Sequence, residues 1–113
     1  MPTASPYRVN LGGEGEEPGA LNQQGPWALN ANWTSSRTGR TLAQLVGDGH
    51  EFLICDNPTI PLPDGCAEEV VTNSVPIDLN TWLGPGVQSN EIRRILKAGG
   101  IWTRDGLLHY TKP

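Results

Sequence analysis

Glycine and proline are spread through every part of this chain, 14 and 10 among 113 residues, and they limit how long any element can be. Proline fixes φ and has no N–H to donate, and glycine is the residue on which helices commonly end. A chain so punctuated folds into short strands and helices joined by many turns. Its 36% hydrophobic content suits one core in one domain of ordinary size. The glycine and proline content stays below that of collagen-like or disordered sequences.

Between the breaks, strand and helix patterns alternate. "YRVNL", residues 7–11, reads as a strand stopped by Gly12 and Gly13. "GALNQQ", residues 19–24, holds a second short strand, and "GPWALNANWTSSRTG" after it is a loop rich in turn residues. Thr41 is placed to cap a helix over "LAQLV", with Leu42, Leu45 and Val46 on one face and "GDG" as its stop. "EFLICD", residues 51–56, is a continuous apolar run ending in an acid, the pattern of a strand buried on both faces. The prolines of "NPTIPLPDG" exclude helix and central strand, and a further strand centres on Val70 and Val71.

"SNEIRRILKAGG", residues 89–100, predicts a helix capped by Ser89 or Asn90 and striped by Ile92, Ile95 and Leu96. Lys97 would sit near its C-terminal dipole, and Gly99 and Gly100 would stop it. Arg93, Arg94 and Lys97 read as a solvated helix face, with a local basic patch as the alternative. "GIWTRDGLLHYTKP" reads as two strands joined at Asp105-Gly106, a strong hairpin signal.

This alternation predicts an α/β fold with a largely parallel sheet. In such folds ligands bind beyond the carboxyl ends of the strands, near the point where strand order reverses. The predicted strand ends, Gly12, Gln23, Asp56 and Asn73, are therefore the site candidates.

Two separated segments, "CDNPTIPLPDGCAEEVVTNSVPID" and "EIRRILKAGGIW", resemble the middle and later part of a class I S-adenosylmethionine-dependent methyltransferase. In that family a strand ending in an acid leads to an "LPFPD" style loop, and an "LKPGG" helix end leads into the next strand. Ala98 stands here in place of the usual proline. With these segments in register, "VNLGGEGEEPGALNQQ" falls at the glycine-rich first motif, and the resemblance covers most of residues 7–104.

The resemblance implies a small three-layer α/β fold with a mostly parallel sheet, a truncated Rossmann-like methyltransferase fold. It would occupy residues 7–113 after a lead-in over residues 1–6. It also implies S-adenosylmethionine as cofactor, contacted by Gly12, Gly13, Gly15, Gln23, Asp56 and Asn57, with Asn73 and Ser74 on the substrate side. Asn73-Ser74-Val75-Pro76 is similar to an "NPPY" type motif, which Val75 breaks. Where the family has an acid that bonds the ribose, this chain has Asn22, Gln23 and Gln24. "EEPG" replaces the helix that would follow the glycine loop, and the chain lacks room for the family's last two strands and helix.

The residues themselves keep simpler readings open. The glycine loop also reads as a strand-exit turn, Asp56 as a loop cap, and His109 as either a general base or an ordinary strand residue. No catalytic residue and no metal ligand set is singled out. Glu14, Glu16 and Glu17 would repel phosphate-bearing dinucleotides but not a sulfonium cation. Cys55 and Cys66 lack the spacing of a zinc or redox motif.

The net charge of -4 speaks against a nucleic-acid binder relying on bulk positive charge, and no run approaches a membrane span. Trp27, Trp33 and Trp82 lie in loop-like segments that could form a lid or a protein interface. The expected activity is methyl transfer to an unknown acceptor. The alternatives are an inactive methyltransferase-like binding module and the toxin domain of a longer secreted bacterial protein. Localisation is expected to be cytoplasmic as written, or secreted or delivered to another cell in the toxin case.

Overall fold

The computed structural model describes residues 7–55, 60–73 and 87–113. Six strands form one sheet: β1 (Tyr7–Leu11), β2 (Leu21–Gln24), β3 (Phe52–Ile54), β4 (Ala67–Thr72), β5 (Leu96–Arg104) and β6 (Leu107–Thr111). Their order is β3-β2-β1-β4-β5-β6, with β1 to β5 parallel and β6 antiparallel to β5. Two α-helices, α1 (Leu42–Gly47) and α2 (Val87–Ile95), and a 3-10 turn at Pro26–Leu29 complete the described elements. The expected α/β architecture is present, with few helices for its sheet. Strand order reverses between β1 and β4, adjacent strands that are not consecutive in sequence.

Residues paired in register share a face of the sheet. Val9 pairs with Leu21 and Val70, and Val70 with Trp102. These side chains, with Leu11, pack on Ile92 and Ile95 of α2 and on Ile60, Leu62 and Cys66 of the preceding loop. Each such buried aliphatic side chain contributes about 2 kcal/mol. The opposite face is polar along its centre. Asn10 pairs with Asn22, and Arg8 with Glu69. Residues 12–20 descend over it without a helix, as "EEPG" predicted.

The local signals explain most elements. Thr41 caps α1 with a capping box: its hydroxyl accepts from the Gln44 N–H, and the Gln44 side chain accepts from the Thr41 N–H. Asp105 and Gly106 both have positive φ, 51° and 83°, as a type I′ hairpin turn requires. Trp102 is buried, and its Nε1 donates to Thr72 Oγ1 at 3.0 Å.

Three expectations need correction. β3 is an edge strand, half-buried at all three residues, rather than a strand buried on both faces. A continuous apolar run of this length fits either position, because periodicity carries no information about a missing neighbour strand.

The second correction concerns 89–100. The helix ends at Ile95, and Lys97, Gly99 and Gly100 lie in β5. Gly99 N–H donates to Lys112 O and Lys112 N–H to Gly100 O, both at 2.9 Å, so the residue just past β6 takes bonds a further helical turn would use. Between Ala67 and Glu69 the partner on β5 jumps from Leu96 to Ile101, and the extra residues form an irregularity with Gly99 at φ 81°.

The third correction is Arg94, which is no freely solvated side chain. It bonds Glu91, Asp64 and the carbonyls of Ile60 and Leu62, all at 2.7–3.1 Å. Glu91 Oε1 in turn accepts from the Ile60 N–H. The pair fastens the proline loop to α2. Bonding to Glu91 and then to Asp64 raises the Arg94 pKa, and the Arg94 bond is the leading cause that lowers the Glu91 carboxyl.

Candidate functional site

The carboxyl ends of β1, β2 and β4 meet at the reversal of strand order, and several predicted residues converge there. Gly12 leaves β1 with φ 66°, a conformation that a side chain disfavours. Its N–H donates to Gln23 Oε1 at 3.1 Å, while Gln23 Nε2 donates to Cys55 O at 2.8 Å. One buried amide thus ties the ends of β1, β2 and β3 together. Asn73, just past β4, donates Nδ2 to Glu16 Oε2 at 3.1 Å and to Glu17 Oε2 at 2.9 Å. Gly12, Gly13, Gly15, Gln23 and Asn73 therefore share one sheet edge. Asp56, Asn57 and Ser74 lie outside the described residues, as does Trp82.

The glycines of the loop have internal explanations. Gly13 N–H is shared between Asn10 O and Gln23 O, and a Cβ there would come within 2.6 Å of Asn10 O. Gly15 has φ 88°, donates to Asn22 Oδ1 at 3.2 Å, and leaves no room for a Cβ beside the His50 ring. Beneath the loop, Asn10, Asn22, Gln23 and Gln24 are all buried. Asn10 Nδ2 donates to Asn22 Oδ1, Asn22 Nδ2 to Glu51 O, and Gln24 Nε2 to Gly13 O. The sequence signal for this amide layer was "LNQQ", which the resemblance had cast only as a missing acid.

Residues that sequence reasoning missed come from the loop before α1. Glu14 accepts from the hydroxyls of Ser35 and Ser36 and from the Arg37 N–H. The Arg37 guanidinium lies between Glu14 and Glu16, at 3.9 and 3.6 Å, and reaches Asn73 O. Arg8 pairs with Glu17 at 3.1 Å and Glu69 at 2.7 Å. Burial pushes the Glu16 carboxyl up. The bonds from the Glu14 N–H, Asn73, its own N–H and Asn10 together outweigh that and hold it below the ordinary carboxylate value. The sequence marks this segment only as a loop rich in turn residues, and nothing in it names Glu14 as partner.

Other candidates are placed elsewhere. His109 is exposed on β6, its ring edge-on to Trp102 at 4.5 Å, far along the sheet from the glycine loop. Trp27 is half-exposed and donates Nε1 to Gln24 Oε1. A groove of about 700 Å³ lies between the 3-10 turn and α1, lined by Ala28, Leu29, Leu42 and Val46 among others. Neither Cys55 nor Cys66 forms a disulfide among the described residues. Among the described residues there is no metal-ligating group of three acids, histidines or cysteines, and no helix long and apolar enough to cross a membrane.

Compared with family models, curated proteins and solved structures, the chain matches none. The class these observations define is a small α/β fold with a mostly parallel six-stranded sheet and a polar, acidic cluster at its strand-order reversal.

Proposed function

We propose that the chain binds S-adenosylmethionine at these strand ends and transfers its methyl group to an acceptor arriving beside Asn73. The observation that carries the reading is convergence. The residues matched to the family's first motif, its ribose position and its acceptor side lie at one sheet edge, where a doubly wound order 3-2-1-4-5-6 places its ligands. The glutamates of the loop suit a sulfonium cation and oppose a dinucleotide pyrophosphate. Gly12, Gly13, Gly15 and Gln23 would hold the cofactor, and methyl transfer then needs chiefly alignment of nucleophile and sulfonium.

A second reading, a methyltransferase-like binding module without chemistry, has its own support. Gln23 spends its carbonyl on Gly12 and its amide N–H on Cys55, which leaves the ribose position engaged internally. Calorimetric titration with S-adenosylmethionine and its demethylated product separates the two. Saturable heat near micromolar affinity is expected for the first reading. Absence of heat from protein shown to be folded by circular dichroism would remove it in favour of the second.

A further inference from the structure

The groove between the 3-10 turn and α1 has no part in the methyl-transfer reading. It encloses about 700 Å³, inside the range of roughly 300–1,000 Å³ common to small-molecule sites. Ala28 and Leu29 supply one apolar wall, and Leu42, Ala43 and Val46 the other. The second wall follows from how α1 docks. Of its stripe Leu42, Leu45 and Val46, only Leu45 is buried in the fold. Val46 stays 52% exposed, and Leu29 on the opposite wall 65%. Apolar surface left open in this way on both sides of one groove is a vacancy for an apolar guest.

Charge and size narrow the guest. None of the described lining residues is ionisable. Arg40 and Asp48, which flank α1 in sequence, pair with each other at 2.7 Å. The polar side chains of the lining already have partners: Thr41 Oγ1 accepts from the Gln44 N–H, and Asn30 Oδ1 from the Asn32 N–H. An ion entering here would lose hydration and gain no counter-charge. A stable protein interface needs about 800 Å² on each partner. The half-exposed side chains of this groove present at most a few hundred. The β5–β6 hairpin shows the contrast. Leu107 and Leu108 are just as exposed, but their notch holds only about 260 Å³ and shares its lining with Arg104, Asp105 and His109.

We propose that the groove binds an uncharged, largely apolar small molecule between Leu29 and Val46, at a site separate from the strand-end cluster. None of the residues assigned to the cofactor or the acceptor lines it. Burial of apolar surface supplies the affinity, and the uncharged lining supplies the selection. The inference does not depend on methyl transfer.

The test uses the full chain and one ring system in three charge states. 1-Naphthalenemethanol is titrated while the NMR signals of Leu29, Ala43 and Val46 are followed. A saturable shift confined to the groove is expected, at least tenfold weaker with 1-naphthoate and with 1-naphthylmethylammonium. Val46→Asp and Ala43→Glu, both at exposed positions, should each weaken binding of the alcohol at least tenfold with circular dichroism unchanged. Ala43→Glu lies in the first turn of α1, where an acid suits the helix dipole, so its fold is the safer of the two. No saturable shift, equal shifts from the charged probes, or equal shifts at Leu107 and Leu108 overturn the site. Displacement of the alcohol by S-adenosylmethionine also overturns it, because the groove would then belong to the cofactor. Sedimentation of the free protein tests the remaining occupant: a dimer that Val46→Asp dissociates overturns the small-molecule site in favour of a second copy.

Discussion

The two faces of the sheet are held by different physics. On one, Val9, Leu11, Leu21, Val70 and Trp102 meet Ile92 and Ile95 of α2 in an apolar core. On the other, Asn10, Asn22 and Gln24 meet a helix-free loop through side-chain amides, with Arg8 and Arg37 holding its glutamates. Apolar packing is non-directional and tolerates substitutions of similar volume. An amide layer is directional: Asn10 Nδ2, Asn22 Oδ1, Asn22 Nδ2 and Gln24 Nε2 each have a named partner, and one loss leaves another stranded. The first face is therefore built for stability, and the second for fixing one loop in one place at the candidate site.

Substitutions on each face should separate these roles. The largest expected effect is on the apolar side: Trp102→Ala should cost about 4 kcal/mol in urea unfolding, from cavity formation and the loss of its bond to Thr72. On the polar side, Asn22→Ala should cost about 2–3 kcal/mol, because Gly15 N–H, Asn10 Nδ2 and Glu51 O each lose a partner. Asn22→Leu, close in volume, should rescue little of this; full rescue would show that the layer is ordinary packing. Gly13→Ala should cost about 2 kcal/mol by overpacking against Asn10 and should slow no global folding step, which stopped-flow refolding can check.

Smaller effects belong to the ion pairs. Arg94→Met should cost about 1 kcal/mol, a modest figure because its side chain is 31% exposed. Faster amide exchange at Ile60 and Gly65 should be the clearer readout. Glu16 and Glu91 both have carboxyl pKa values lowered in the folded state. Their contribution is present above the unfolded value of about 4.5 and fades as pH falls through the lower folded values. The urea midpoint should therefore drop between pH 5 and pH 3, and Glu16→Gln with Glu91→Gln should flatten that drop. An unchanged slope in the double variant would mean that other groups govern acid lability.

What could be read from the chain follows the same division. Local signals gave β1, β2 and β4, the Thr41 cap, the Ile92–Ile95 stripe and the Asp105-Gly106 turn, because each depends on residues a few positions apart. β3 as an edge and Leu96–Gly100 as strand were hidden, since both depend on which other strand is near. The convergence of strand ends was legible: Gly12, Gln23 and Asn73 do lie at one end of the sheet. Its wiring was not. That Arg37 and Ser35 serve Glu14, or that Asn22 lies under Gly13 and Gly15, are contacts between loops with no spacing rule to announce them.

Gln23 also explains the departure that first counted against this chain. Its position accepts from the Gly12 N–H and donates to the Cys55 carbonyl in the same moment. A carboxylate of equal length can accept but has no hydrogen to give, and beside the Cys55 oxygen it would be repelled. An acid at position 23 would thus lose the bond to Cys55 and face its carbonyl oxygen. A chain that ties its strand ends with a glutamine meets any sugar hydroxyl there with a neutral amide, a weaker partner than a carboxylate.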